Sequence, residues 1–175
     1  MAGQRWSSWI SWFFENCTRD PLVLFRIFHY PPLAAESTDQ WSVGEHTDYG
    51  LLTILRQDDV GGLQTESVED GWIDVPPEPG TIVVNLGDAM QVWTNDTYRA
   101  AVHRVTPRYG KPRYSTPYFL NPQADAMLEP LTALGVTEPR YRPFSWKEYI
   151  THRIDDNFAD LGAEDTQISH YRLTA

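Results

Sequence analysis

Three side chains have the types and spacing to hold a metal ion: His46 and Asp48, separated by Thr47, and the distant His103. Two imidazoles and one carboxylate are the ligand set that binds non-haem Fe(II) on one side and leaves adjacent coordination positions open. The short spacing suits that task, because residues two apart on an extended segment point to the same side. His46 and Asp48 can therefore chelate one ion while Thr47 faces away. His103 must arrive from elsewhere in the fold. Its context, Ala100-Ala101-Val102-His103-Arg104-Val105, reads as a second buried strand with a polar side chain turned inward.

Taken singly, each residue has a plainer reading, in which a histidine satisfies a core hydrogen bond and Asp48 opens a turn before Gly50. The group is more specific than its members. Arg113 lies beyond His103 in a strand-like segment, and Ser115 shares its face. A planar guanidinium offers a carboxylate two parallel hydrogen bonds, which a lysine ammonium does not, so the arrangement suits an anionic co-substrate beside the metal. Arg104 and Arg108 compete for that role and read as solvated rim charges.

These residues, with several flanking motifs, resemble the isopenicillin N synthase-like branch of the Fe(II)- and 2-oxoglutarate-dependent dioxygenases. The resemblance runs from about Asp20 to about Phe158. It takes in Leu24 to Pro31, Gly61-Gly62-Leu63-Gln64, Asn85-Leu86-Gly87-Asp88, Trp93-Thr94-Asn95-Asp96 and Arg113-x-Ser115. It implies that His46, Asp48 and His103 ligate the catalytic iron. Arg113 would form a salt bridge to the distal carboxylate of 2-oxoglutarate, with Ser115 hydrogen-bonded to it and Tyr30 as a further contact. The family commonly carries Asn two places before that tyrosine, where this chain has Phe28. Phe28 and Phe119 are expected beside the prime substrate, although Phe119 reads equally well as a core aromatic on a strand.

The implied reaction consumes 2-oxoglutarate and O2 at Fe(II), releases succinate and CO2, and hydroxylates, desaturates or cyclises a small-molecule substrate. Two other readings stay open. One is an iron oxidase of the same fold that needs no 2-oxoglutarate and uses Arg113 for a substrate carboxylate. The other is a binding protein that keeps the scaffold without catalysis.

The elements that must position these residues are mostly short strands. Leu22 to Tyr30, Leu51 to Arg56, Leu63 to Glu66, Trp72 to Val75 and Thr81 to Asn85 are apolar or alternating runs divided by Asp-Asp, Gly-Gly, Asp-Gly and Pro-rich turns. Pro31 to Gln40 reads as a loop. This cadence predicts a mainly β fold, a sandwich or jelly roll, and the resemblance implies a double-stranded β-helix with flanking helices. Trp6, Trp9, Ile10, Phe13, Phe14 and Cys17 recur at helical spacing. A short helix over Asp88 to Thr94 precedes the His103 strand. Ser145-x-x-Glu148 is a capping box that opens a helix to about Phe158, with Trp146, Tyr149, Ile150 and Ile154 as its buried face. Asp155 and Asp156 read as solvated charges at its end. The expected organisation is an N-terminal helix over 1–20, the jelly-roll domain over 21–160 and a tail over 161–175.

Composition excludes several function classes. A hydrophobic share of 41% with seven Trp belongs to a folded domain, not a disordered one. A formal charge of -10 without a basic cluster disfavours nucleic acid and anionic membranes as partners. No run approaches the ~20 apolar residues of a membrane span. Cys17 is the one cysteine, so no internal disulfide forms, and a reducing, cytoplasmic setting is expected. The serines and Glu15 that interrupt residues 5–17 argue against a signal peptide. Members of the resembling family carry a longer segment before the strand that here begins near Leu22. An uncovered outer sheet face and self-association through it are therefore expected.

Overall fold

The structure, a computed structural model, describes residues 2–33, 41–108, 110–158 and 166–174, without the side chains of 2–7 and 155–158. Trp6, Asp155, Asp156, most of the Pro31 to Gln40 loop and the start of the tail thus lie outside what is described. Helix α1 spans Ala2–Cys17, followed by β1 (Val23–Phe25), β2 (Phe28–Tyr30), β3 (Val43–His46), β4 (Leu52–Gln57), β5 (Leu63–Ser67), β6 (Gly71–Asp74) and β7 (Val83–Leu86). After them come α2 (Asp88–Trp93), β8 (His103–Val105), β9 (Arg113–Leu120), the short pair β10 (Met127–Leu128) and β11 (Phe144–Ser145), and α3 (Trp146–Phe158).

Two antiparallel sheets face each other, as a double-stranded β-helix requires. The larger has the order β1/β2–β9–β4–β7, and the smaller β3–β8–β5–β6. Alternation sorts their side chains. Arg113, Ser115 and Pro117 on β9 are buried inward while Tyr114 and Tyr118 are exposed.

The expected strand Leu22–Tyr30 is interrupted at Arg26-Ile27, giving β1 and β2 on the same side of β9. The register is unbroken, since Phe25 pairs with Tyr118 and Phe28 with Ser115. Pro117 explains the gap. It accepts a hydrogen bond from the Arg26 amide at 3.1 Å but has no N–H to return to the Arg26 carbonyl.

The main apolar core lies outside the sheet sandwich, where α2, α3 and β11 meet. Trp93, Trp146, Tyr141 and Tyr149 are each almost fully buried there. Phe13 of α1 packs edge-on against Trp93 at 4.8 Å, and Cys17 joins the same cluster. Burial pushes the Cys17 thiol up to about 11, so it is an inert core group. The capping interaction expected at Ser145 is present, with the Glu148 amide donating to its hydroxyl at 3.4 Å.

Three expectations need correction. Arg104 is not a solvated rim charge: its guanidinium lies 4.1 Å from the Trp41 ring and 3.8 Å from the Trp72 ring, and it donates to Gln64 and Glu45 at 2.9 Å each. Desolvation between two indoles makes such a cation a cross-strand clamp. Ile154 is exposed instead of core-buried, because α3 turns it toward the cavity between the sheets. Residues 166–174 are docked and do not form a free tail. Tyr171 stacks on Phe144 at 3.7 Å, and Arg172 donates to both Asp96 carboxylate oxygens.

On the outer face of the larger sheet, Phe25, Tyr118, Ile54 and Val84 stand in register across four strands and are all exposed. Together they form an exposed apolar stripe.

Gly87 marks the tightest junction. A Cβ there would lie 2.4 Å from the Gly50 carbonyl and 2.9 Å from that of Asp48, both backbone atoms that cannot swing away. Gly87→Ala should therefore cost about 1–3 kcal/mol of stability through overpacking. A chemical-denaturation midpoint equal to that of the parent would contradict this close approach.

Candidate active site

A β-bulge aims the first imidazole. Between Val43 and His46 on β3 there is one residue more than between Val105 and His103 on β8, so the register shifts within the pair. Strict alternation from the inward Val43 would turn His46 out of the sandwich; the extra residue returns it to the inner face. His46 and His103 then sit directly opposite each other, with ring centroids 4.2 Å apart.

Asp48 lies just beyond β3, held by its backbone: the Asp88 amide donates to the Asp48 carbonyl at 2.8 Å, and the Ala89 amide to that of Gly50 at 3.1 Å. One potential ligand atom from each of His46, Asp48 and His103 falls within 4.8 Å of the others. The remaining hydrogen bonds set which atoms are free. Nδ1 of His46 lies 2.8 Å from the Gly44 carbonyl, and Nδ1 of His103 lies 3.0 Å from that of Ala101. A carbonyl only accepts, so both Nδ1 atoms carry hydrogen and both Nε2 lone pairs stay free. Asn85 donates to Asp48 Oδ2 at 2.8 Å, leaving Oδ1, 3.8 Å from His103 Nε2, to face the same centre. Burial, reinforced by the neighbouring His103, lowers the pKa of His46 and favours the neutral, metal-binding imidazole.

Behind this group lies a buried carboxyl that sequence reasoning quoted but gave no role. Asp88 accepts a 2.6 Å hydrogen bond from the Tyr149 hydroxyl. Burial pushes its pKa up to about 6, against opposition from Tyr149, Arg153 and the Thr47 hydroxyl.

His46, Asp48 and His103 open onto a cavity of about 460 Å3 between the sheets, a volume suited to small molecules. Arg113, Ser115, Tyr30, Phe28 and Phe119 all line it, so the metal, co-substrate and substrate candidates share one chamber. Arg108 is not among its lining residues.

Arg113 is 2% exposed. It donates through Nη2 to Gln57 at 3.1 Å, while the buried Nε and Nη1 have no hydrogen-bond partner. The Tyr30 ring lies 4.9 Å from its guanidinium carbon. A buried cation with two orphaned donors is costly unless an anion completes it. Those two donors suit a carboxylate from a bound molecule.

Sequence reasoning missed Asn85 and Gln57. Asn85 had a signal, its place in the Asn85-Leu86-Gly87-Asp88 motif. Nothing local marks Gln57, whose role exists only because β4 pairs with β9 and sets Gln57 opposite Ser115.

Comparison with known proteins agrees with this geometry. Residues 21–122 match the model of the 2OG-Fe(II) oxygenase superfamily. A probable iron/ascorbate oxidoreductase of Dictyostelium discoideum is 39% identical over 178 residues, covering 86% of this chain and 49% of the relative. Gibberellin 2-beta-dioxygenase 8 of Arabidopsis thaliana is 40% identical, covering 79% of this chain and 39% of its own length. A full-length Neurospora crassa protein, crystallised in complex with alpha-KG, superposes with a TM-score of 0.77 at 34% identity, covering 83% of this chain and 48% of the crystallised one. The chain thus spans about half the length of the relatives it matches, or less.

Asn85→Leu should leave the fold intact yet weaken Fe(II) binding by ~10- to 100-fold, because Asp48 loses the donor that orients it. Anaerobic calorimetric titration with Fe(II) reads this directly; an unchanged affinity would remove Asn85 from the site.

Proposed function

Because this chain belongs to the 2OG-Fe(II) oxygenase superfamily, we propose that it is an Fe(II)- and 2-oxoglutarate-dependent dioxygenase that oxidises a small-molecule substrate and releases succinate and CO2. His46, Asp48 and His103 hold the iron. Arg113 and Ser115, with Tyr30 alongside, hold the distal carboxylate of 2-oxoglutarate, and Phe28 and Phe119 border the prime substrate. The observation that carries this reading is the buried guanidinium of Arg113, with two orphaned donors, in the same chamber as the three ligands.

Bound Fe(II) would supply the activation of O2, coupled to oxidative decarboxylation of the keto acid. The chain's own residues bind and orient. Two imidazoles with free Nε2 atoms and one carboxylate held through its other oxygen present three donors on one side and leave the opposite side open. Arg113 supplies a fork aimed at one carboxylate, which fixes the direction in which a dicarboxylate enters. Leu55, Leu63 and Val105 give the space between clamp and ligands apolar walls.

The competing reading, an oxidase without 2-oxoglutarate, would use Arg113 for a substrate carboxylate; the complex of the Neurospora crassa protein with alpha-KG favours the co-substrate. A small molecule is the partner in either case. The charge of -10 argues against nucleic acid. Among the described residues no helix is long and apolar enough to cross a membrane. A reducing cytoplasmic setting suits Fe(II) and the unpaired Cys17. The exposed stripe through Phe25, Tyr118, Ile54 and Val84 supports self-association.

Anaerobic addition of Fe(II) and then 2-oxoglutarate should produce a metal-to-ligand charge-transfer band in the visible spectrum. His103→Ala should abolish it together with tight iron binding. Arg113→Ala should weaken 2-oxoglutarate by several hundred-fold, corresponding to the ~3–5 kcal/mol lost when one partner of a buried ion pair is removed. Arg113→Lys should fall between the two. An Arg113→Ala titration that superimposes on the parent would overturn the co-substrate assignment.

A further inference from the structure

Leu22, Leu24, Arg26, Phe28 and Tyr30 form one inward row along the broken β1/β2 strand, and all five line the cavity. Of the outward positions between them, Val23, Phe25 and Ile27 are exposed and apolar, and His29 is exposed and stacks on Tyr114 at 4.7 Å. Arg26, part of whose surface stays exposed, stands in a row that a half-buried strand usually keeps apolar. The single charge of the segment points into an otherwise apolar wall.

Its position is fixed from the backbone, because the Arg26 amide donates to Pro117 at 3.1 Å. Among the described residues its guanidinium has neither a hydrogen bond nor an ion pair. The carboxylates on the cavity wall are engaged: Glu45 pairs with Arg104 at 2.9 Å, and Asp48 accepts from Asn85. Tyr30 lies opposite Arg113, and Arg26 is four residues away on the same row. A strand rise of ~3.3 Å per residue separates the two cationic positions by roughly 13 Å. That is too far for both to hold one end of the same small dicarboxylate.

We propose that Arg26 anchors the prime substrate, and that this substrate is an apolar molecule bearing a carboxylate or similar anion. The inference rests on the dioxygenase reading above. The apolar body lies against Leu24, Phe119, Ile150 and Ile154, and its anionic group is held at Arg26. A neutral apolar ligand would strip water from the guanidinium without replacing it, whereas a carboxylate replaces it with charge-assisted hydrogen bonds. Because the chain carries a net charge of -10, its overall field repels anions, and a local cation at the cavity is what admits one.

The test compares acids with their isosteric amides. Octanoate and octanamide, and 3-phenylpropanoate and 3-phenylpropanamide, are titrated by calorimetry into the chain loaded anaerobically with Fe(II) and 2-oxoglutarate. At least one acid should bind at least ~10-fold more tightly than its amide. Arg26→Gln should erase that preference while leaving 2-oxoglutarate affinity and the charge-transfer band unchanged. If no acid exceeds its amide, or if the preference survives Arg26→Gln, the anchor assignment is wrong. Failure of the dioxygenase reading would look different, since the charge-transfer band would be missing in the parent chain. The acid-amide comparison on the metal-free chain would then still decide Arg26.

Discussion

The pairing of β3 with β8 sets His46 opposite His103, and the rest of the site is arranged around that cross-strand pair. A slip of one residue in either strand would send one imidazole to the outer face. The bulge in β3 therefore has to be held, and it is held from outside. Arg104, next to His103 but pointing the other way, is clamped between Trp41 and Trp72 and bonded to Glu45, the neighbour of His46. Inner-face chemistry and outer-face packing are two sides of the same three-residue strand.

Asp48 is placed by a different device. It follows the strand and takes no part in the ladder, so backbone groups at the start of α2 fix its main chain and Asn85 fixes its carboxylate. The glycines at 50 and 87 let these segments approach to distances that a Cβ would forbid. Asp88, whose pKa burial pushes up to about 6, occupies the space behind Asp48. Its bond from Tyr149 ties the ligand turn to α3, whose Ile150 and Ile154 also face the cavity.

Charge is used sparingly inside the sandwich. A cation buried as deeply as Arg113 is a net cost unless an anion joins it, and its Nε and Nη1 donors stay uncompensated within the chain. Arg26, nearer the exposed end of the same inward row, is an unpaired charge of the second kind, cheaper because solvent reaches it. The cavity thus has one deeply buried cation and one shallow one along a common wall, with the three potential metal ligands on the facing side.

Much of this was legible in the sequence, because ligand type and local spacing are local properties. His46-x-Asp48, His103 and Arg113-x-Ser115 each obey strand periodicity, and the turn residues dividing short strands indicated the jelly roll. The helical spacing of Phe13, Phe14 and Cys17 likewise marked a packing face, now seen against Trp93. What the sequence alone did not reveal depends on partners far along the chain. Arg104 looked solvated because the indoles that enclose it come from Trp41 and Trp72; the Leu22–Tyr30 strand looked continuous because its break is caused by Pro117. Asn85 and Gln57 acquire meaning only when strand pairing sets their side chains against Asp48 and Arg113. The sequence by itself determined which chemistry was available; the tertiary structure decided which atoms of those groups are left free, since that follows from hydrogen bonds and burial imposed by other strands.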